Sequence, residues 1–531
     1  MPIQNIPFHQ TGYFSKLMCD YLAKDTSTTP FYHRFPALDQ FKLQLEEKQR
    51  SFPKKHRMVL VNELVAQYEA LSTSEATQKN ITALSSENTF TITTGHQLNL
   101  FTGPLYFLHK IFSVINLAEQ LNNEYPNQHF VPVYWMASED HDFDEINYFN
   151  FGGKKIKWDR PDGGAVGELS NEGLDEVLKV VSAAFGNSKN GQYLSSLFSE
   201  AYVKHQNLAD ATRYLGNELF KEYGLVIIDA NRSSLKKVFI PYAKRELIEN
   251  RSFHKVTQTT EQLVLAGYGE QVHPREINLF YLAEGSRERI VEEDGRFYVN
   301  ETNISFTSEE IIAELSEYPE RFSPNALLRP LYQEVILPNL CYTGGGGELA
   351  YWFQLKDYFE SVAVPFPILL LRNSVVLVPS KYSVKLKKLD IEIAALFQKQ
   401  HELTTAYTKN LSKINIDFSE QKEHLKQQFI ALYELAKKTD ASFVGAVAAQ
   451  EKKQLNGLAN LEKRLLKAQK RKWADQLERL TAIQNELFPG ESLQERLTNF
   501  SEFYLEYGPT LFSELKENLD PLLHEFTILE L

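Results

Sequence analysis

From Phe90 to Thr94 the chain reads FTITT, a β-rich run, and from Phe130 to Ala137 it reads FVPVYWMA, an unbroken apolar run. Continuous rather than alternating apolar residues mark a strand covered on both faces, as in a parallel sheet. Between the two, Ile111, Ile115, Leu117, Ala118 and Leu121 recur at helical spacing within LHKIFSVINLAEQLNNEY. The pattern predicts a strand, a glycine loop, a helix and a second strand. Such βαβ sheets place their ligands beyond the strand carboxyl ends. GLVIIDA (Gly224 to Ala230) and PFPILLLRNSVVLV (Pro365 to Val378) are predicted as further buried strands. EEDGRFYV, around Asp294-Gly295, carries a hairpin signal between them, so that stretch reads as an insertion and the core as discontinuous in sequence.

From about Lys381 to Leu487 glycine and proline nearly vanish. Leu386, Leu389, Ile393, Leu396, Leu403 and Tyr407 keep a 3,4 spacing, interrupted by Gln400. A later helix carries Leu466, Trp473, Leu477, Leu480 and Leu487, with Gln484 breaking its stripe. SEQKEHLKQQFIALYELAKK and the small-residue stretch SFVGAVAAQ lie between. An antiparallel helical hairpin or coiled coil is predicted, ended by Pro489-Gly490. The organisation expected is a first part of the core over 1–155 and core strands with inserted subdomains over 156–320. The rest of the core with a glycine loop follows over 321–380, then a helical coiled coil over 381–490 and a terminal segment packing on the core over 491–531.

A length of 531 residues implies several domains, and 43% apolar with 24% charged residues is a composition that can bury a large core. Lys plus Arg total 57 against 69 Asp plus Glu, a formal charge of −12 that opposes general attraction to nucleic acid or anionic lipid. Cys19 and Cys341 are the only cysteines, too few for a disulfide framework or a four-cysteine zinc site, and they fit a reducing compartment. The N-terminal sequence lacks the pattern of an export signal, and no run approaches the ~18 apolar residues of a membrane span. A soluble cytoplasmic protein with no membrane or nucleic-acid partner is expected.

Three constellations carry candidate chemistry. Thr94-Gly95-His96-Gln97, followed by Thr102-Gly103-Pro104-Leu105-Tyr106 and Lys110, lies between a strand end and a helix start, where free amides attract anions. Gly95 and Gly103 would admit close backbone approach, His96 and Gln97 could donate to phosphate or carboxylate, and Lys110 adds a positive charge; an ordinary turn is the alternative. Ser138-Glu139-Asp140-His141-Asp142-Phe143-Asp144-Glu145 follows a buried strand and concentrates five carboxylates and an imidazole. A divalent cation, a base for an amine nucleophile, or hydrogen bonds to sugar and ammonium groups would each use it, Asp140, His141 and Asp142 foremost. A solvated acidic loop is the plain alternative. In CYTGGGGELAYWFQLK (Cys341 to Lys356) four glycines, Gly345 and Gly347 among them, run into a helix bearing Glu348, Tyr351 and Gln354, without the lysine of a phosphate loop. Cys341 reads as a buried small residue.

Arg275, Arg329 and Arg372 adjoin apolar stretches, where a fixed guanidinium could grip carboxylates or phosphates or form structural ion pairs. Lys463, Arg464, Lys467, Lys470, Arg471 and Lys472 read as a solvated helix face, and Ser380, Lys381, Lys385, Lys387 and Lys388 as a weaker candidate for a second anionic pocket.

TGHQLNLFTGPLYFLHK, VPVYWMASEDHDFDEIN, VHPREINLFYL and LPNLCYTGGGGELAYWFQLK, in this order and spacing, resemble the bacillithiol-biosynthesis cysteine-adding enzymes, the cysteine ligase family, across essentially the whole chain. The resemblance implies an α/β fold: a Rossmann-like class I nucleotidyl transferase core related to aminoacyl-tRNA synthetases, inserted connecting subdomains, and a long coiled coil that promotes homodimerisation. It implies amide formation between the carboxylate of L-cysteine and the amine of glucosaminyl malate, with activation by ATP or another nucleotide. On it, His96, Asp140, His141 and Asp142 would be catalytic. Gly95, Gln97, Gly103, Tyr106 and Lys110 would hold the nucleotide. Ser138, Glu139, Arg329, Gly345, Gly347, Glu348, Tyr351, Gln354 and Arg372 would line the substrate site, with Arg329 or Arg372 meeting the malyl carboxylates. The paired histidines of the synthetases are replaced by Gly103-Pro104-Leu105-Tyr106, and PSKYSVK only loosely echoes their lysine-rich signature. No metal ligand is assigned. A metal-dependent amidohydrolase and a non-enzymatic dimeric scaffold are the competing readings.

Overall fold

The computed structural model describes residues 3–161 and 163–531, so the first two residues of the predicted N-terminal segment lie outside it. The chain divides into two compact units, one of residues 3–375 with 495–527, the other of 376–494 with 528–531.

The first unit is built on β1 (Thr89–His96), α1 (Tyr106–Glu124), β2 (His129–Met136), β3 (Val226–Asp229), α2 (Ser233–Glu249), α3 (Arg329–Ile336), β4 (Asn339–Gly344), α4 (Gly346–Trp352) and β5 (Ile368–Leu371). The five strands form one sheet in the order β5-β4-β1-β2-β3, and every pairing is parallel. Successive strands run outward from β1 to β3, then return beside β1 as β4, so the topological switch point lies between β1 and β4. β1 and β2 pair from Thr89 with His129 to His96 with Met136. Residues 107 to 118 of α1 are all buried, the polar His109, Lys110, Ser113 and Asn116 included. The C-terminal segment covers it, and the Asn116 side-chain amide donates to the carbonyls of Lys516 (3.0 Å) and Leu519 (2.6 Å).

PFPILLLRNSVVLV is not one strand. Only β5 joins the parallel sheet, and Val375–Val378 is a separate strand after a break at Arg372, Asn373 and Ser374. These polar residues are buried and hydrogen-bonded, apart from Arg372 Nε, which has no partner among the described residues. The Arg372 amide donates to the Gly344 carbonyl at 2.9 Å, and Asn373 exchanges two hydrogen bonds with the Ser113 hydroxyl. An antiparallel five-stranded sheet comprising Leu279–Ala283, Ser286–Glu293, Arg296–Val299, Ser305–Thr307 and Phe322–Pro324 is inserted between β3 and β4. Its Asp294-Gly295 turn has positive φ at both positions, 51° and 75°, the geometry that makes Asp-Gly a hairpin signal.

In the second unit the 3,4 seam is split among three short elements rather than one helix: α5 (Ser380–Lys388), a 3-10 turn at Ile393–Phe397 and α6 (Gln400–Leu411). Asp390, at φ 56°, turns the chain between the first two. α7 (Ser419–Ala436) and α8 (Ala441–Lys472) form a hairpin whose Asp440 caps α8 by accepting from the amides of Ser442 and Phe443. Trp473 separates α8 from α9 (Ala474–Leu487). Gln484, the break in the apolar stripe, is buried and donates to the carbonyls of Leu396 (2.9 Å) and Gln398 (2.8 Å), capping the 3-10 turn. The basic stretch lies along α8, with Lys463, Arg464, Lys467, Arg471 and Lys472 exposed. Among the described residues no helix is long and apolar enough to cross a membrane.

Candidate active site

The carboxyl ends of β1, β2 and β4 converge at the switch point. β1 runs to His96, and the loop after it is strained: Phe101, Thr102 and Gly103 have φ of 47°, 68° and 63°. A β-branched residue there costs on the order of 1–3 kcal/mol and persists only where its surroundings impose it. Here the Asn499 side-chain amide donates to the carbonyls of Phe101 (2.9 Å) and Gly103 (2.6 Å), and the Phe101 amide donates to the Tyr202 hydroxyl at 2.8 Å. Gly103 is fixed sterically as well, since a Cβ would sit 2.6 Å from that of Asn99.

The loop encloses His96. Its ring packs on Tyr106 and Phe107. Burial, with Lys110 and Arg372 nearby, pushes its pKa far below the usual imidazole value, although the Thr102 backbone hydrogen bond opposes the shift. His96 is therefore neutral. His96 Nε2, Asn99 Oδ1, Thr102 Oγ1 and Thr212 Oγ1 are buried without a protein partner. They line one space of about 10 Å³, about the smallest volume that holds a single water.

A cavity of about 270 Å³ opens between β1 and β4, lined by Gly95, His96, Gln97, Tyr106, Lys110, Arg329, Glu348 and Tyr351, with Trp135, Ala137 and Tyr342. Lys110 donates to the Gly95 carbonyl at 2.7 Å and ion-pairs with Glu348. Glu348 also accepts from the Tyr342 hydroxyl at 2.8 Å. Burial lowers the Lys110 pKa, an effect the facing carboxylate opposes. Burial acts to raise that of Glu348, but Lys110 and the Tyr342 hydroxyl outweigh it and hold it below the usual value. Arg329, on α3, donates to Gln333 at 3.0 Å and Tyr351 at 3.4 Å, and stacks near the rings of Tyr342 and Trp135 at 5.4 and 5.9 Å.

A second cavity, of about 610 Å³, lies beyond β2 and takes in Ser138, Glu139, Asp140, His141 and Asp142. It shares Trp135, Ala137, Arg329 and Tyr351 with the first and adds Arg275, Arg287 and Arg289. Like charges this close need individual partners, and most have them. Ser138 bonds to Asp229 at the end of β3. Glu139 pairs with Lys236 of α2 at 2.6 Å and accepts from Ser323 at 2.7 Å. Asp140 accepts from Gln97 at 3.0 Å, and Gln97 also donates to Glu145 at 3.0 Å. Arg287 bonds to His141 at 2.8 Å. Among the described residues no three His, Cys, Asp or Glu side chains converge as a metal site.

Other predicted residues lie elsewhere. Gly103 borders a separate cavity of about 310 Å³ with Arg496, which Gln97 and Tyr106 line as well as the 270 Å³ one. The four glycines do not make a left-handed turn, since none of Gly344 to Gly347 has positive φ. Two allow close packing instead: a Cβ on Gly344 would meet Tyr342 at 3.0 Å, and one on Gly346 would meet Met18 at 3.1 Å. Gly345 N-caps α4, and Gly347 is exposed. Gln354 is buried and lines neither cavity itself, but it clasps the backbone of Val272, which lines the larger one, at 3.0 and 2.9 Å. Arg372 is buried against Glu495 at 2.8 Å, with Asn373 and Ser374 taking a further nitrogen. Cys341 is buried, and desolvation pushes its thiol pKa up. Trp135, Tyr342, Asp229, Lys236 and Arg287 were not singled out from the sequence. Asp229 had a usable signal, ending a buried strand at the edge where parallel sheets bind ligands; Arg287, in the charged SRERIVEE, had none.

The family model for the N-terminal Rossmann-like domain of the bacillithiol biosynthesis protein BshC matches residues 1–373. The model for its C-terminal coiled-coil domain matches residues 375–531. A protein of Christiangramia forsetii is 56% identical over 533 residues, covering 100% of this chain and 99% of its own. One of Flavobacterium johnsoniae is 54% identical over 529 residues, covering 100% of both. One of Cytophaga hutchinsonii is 38% identical over 519 residues, covering 98% of this chain and 97% of its own. All three carry the name "Putative cysteine ligase BshC". Matched from end to end in both its Rossmann-like and its coiled-coil parts, this chain belongs to the BshC family of bacillithiol biosynthesis.

Proposed function

We propose that this enzyme, a carbon–nitrogen ligase by family, joins the carboxylate of L-cysteine to the amine of glucosaminyl malate to give bacillithiol. A carboxylate does not acylate an amine unaided, so the reading includes activation by ATP as substrate: the cysteine carboxylate attacks the α-phosphate, pyrophosphate leaves, and the amine then displaces AMP. The observation that carries it is the pair of adjoining cavities at the switch point, which share Trp135, Ala137, Arg329 and Tyr351. Two substrates held on either side of a common wall can meet without diffusing apart, the main advantage of proximity.

In this reading Lys110, Gln97 and the backbone at Gly95 meet the nucleotide phosphates, with neutral His96 shaping that end. Glu348 and Tyr351 border cysteine. Glucosaminyl malate occupies the larger cavity, its carboxylates toward Arg329 and Arg275, because Arg372 is committed to Glu495. The reading extends to a cytoplasmic homodimer formed through the helical unit, supported by Ile430, Leu432, Leu435 and Phe443, apolar residues exposed on the α7–α8 hairpin.

The test is mass spectrometry of the purified protein with cysteine, glucosaminyl malate and ATP, omitting each in turn. Bacillithiol, AMP and pyrophosphate should appear only in the complete mixture. Product without any nucleotide, or metal-dependent amide hydrolysis in its place, would overturn the proposal.

A further inference from the structure

Within the larger cavity the hydrogen bonds divide the acidic run into groups that are already occupied and one that is not. His141 Nδ1 lies 2.8 Å from Nη1 of Arg287. A guanidinium only donates, so Nδ1 accepts and the ring proton is on Nε2. Arg287 belongs to the inserted antiparallel sheet and is itself pinned. Its Nε donates to Ser323 at 3.1 Å, its Nη2 donates to the Pro324 carbonyl at 3.1 Å, and its guanidinium carbon lies 4.1 Å from the centre of the Phe280 ring. The same Phe280 ring lies 5.5 Å from the His141 ring. Both are held from one side by the insert.

The carboxylates sort by their free lone pairs. Glu139 is taken by Lys236 and Ser323. Asp140 accepts from the His141 amide through Oδ1 at 2.9 Å and from Gln97 through Oδ2 at 3.0 Å. The Asp142 carboxylate accepts no hydrogen bond from the described residues, its side chain is 56% exposed, and its nearest basic nitrogen is His141 Nε2 at 3.9 Å. We infer that Arg287 is a positioning residue that fixes His141 as the neutral imidazole protonated on Nε2, and that Asp142 is the carboxylate that takes the amine proton. Burial, with Asp140 beside it, also raises the Asp142 pKa above the usual carboxylate value, a shift toward proton acceptance.

This rests on the proposed ligation. As the amine nitrogen bonds to the cysteine carbonyl carbon, its proton passes to Asp142. The bond from that carbon to the adenylate oxygen breaks, and its electron pair leaves with AMP. His141 Nε2–H donates to a substrate oxygen in the same cavity, an interaction that a ring protonated only on Nδ1 cannot make.

The test has an arm that does not depend on turnover. In protein labelled with ¹⁵N-histidine, long-range ¹H–¹⁵N correlation should show His141 with Nε2 protonated and Nδ1 bare; a protonated Nδ1 would overturn the assignment. Arg287→Met should remove that tautomer preference and lower kcat about 10- to 100-fold, as losing an orienting partner typically does, with KM for glucosaminyl malate little changed. Arg287→Lys, which can still donate to Nδ1, should recover part of both. Asp142→Asn should lower kcat by about 10²- to 10⁴-fold while calorimetry still shows glucosaminyl malate binding, and Asp140→Asn should cost less. Unchanged kcat in folded Arg287→Met, or a larger loss from Asp140→Asn than from Asp142→Asn, would contradict the inference. If ligation itself fails in the wild-type protein, the tautomer measurement still decides the Arg287 role.

Discussion

Lys110→Met is expected to reduce ligation by about a hundred- to a thousand-fold, the usual loss when a donor to developing charge is removed from a dry site, and to lower the melting temperature as well. The lysine side chain is 3% exposed, the Glu348 side chain 29%. Removing the cation leaves that carboxylate with only the Tyr342 hydroxyl and a long contact to the Gly345 amide, while the Gly95 carbonyl loses its donor. Breaking a buried pair from one side costs about 3–5 kcal/mol because an uncompensated charge remains. The two effects separate in Lys110→Met/Glu348→Gln. Neutralising the carboxylate should return most of the stability, yet ligation should stay low because the cation facing the phosphates is still missing. Calorimetric melting beside turnover checks both; a double variant with near-native turnover would show Lys110 to be structural only.

Glu495→Gln should destabilise the Rossmann-like unit by about 3–5 kcal/mol at neutral pH. Glu495 is fully buried and bonds to Arg372 at 2.8 Å, His109 at 3.0 Å and the Val375 amide at 3.0 Å. Burial acts to raise its pKa, but the charge of Arg372 and the His109 bond outweigh it and hold it well below the usual carboxylate range. A depressed folded-state pKa means that the stabilisation is present in full above the unfolded value of about 4.3 and is lost as pH falls through the folded value. The gap in unfolding free energy between wild type and variant should therefore be widest near pH 7 and close progressively below about pH 4.3. Denaturant melts from pH 7 to pH 3 measure this; a gap that stays constant over the range would mean that Glu495 acts through shape rather than charge.

Much of the core was legible because β1 and β2 are covered on both faces, which writes an unbroken apolar run into the sequence. The same rule located both cavities, since parallel sheets bind at strand carboxyl ends. Pairings over long separations left no such trace. Lys110 meets Glu348 238 residues on, Arg372 meets Glu495 123 residues on, and Arg287 meets His141 146 residues back. Periods of 2 and 3.6 report which face is buried, not which partner a buried charge will find. Arg372 thus read as a substrate contact although its guanidinium closes an internal ion pair. The glycine run misled differently. Four glycines suggest a ligand turn, whereas Gly344 and Gly346 are where Tyr342 and Met18 leave too little room for a Cβ. In the helical unit the 3,4 spacing survived because each of the three short elements buries apolar residues of the seam, Leu386, Leu396 and Leu403 in turn, and spacing alone does not register the turn at Asp390.

The central claim is that the cysteine carboxylate is activated on the α-phosphate of the nucleotide before the amine attacks. It is tested most directly with cysteine carrying ¹⁸O in both carboxylate oxygens, incubated with ATP and glucosaminyl malate, followed by mass spectrometry of the nucleotide products. The account predicts AMP carrying one ¹⁸O, because the oxygen that attacks phosphorus leaves with it. Unlabelled AMP, or label found in inorganic phosphate alongside ADP, would contradict it.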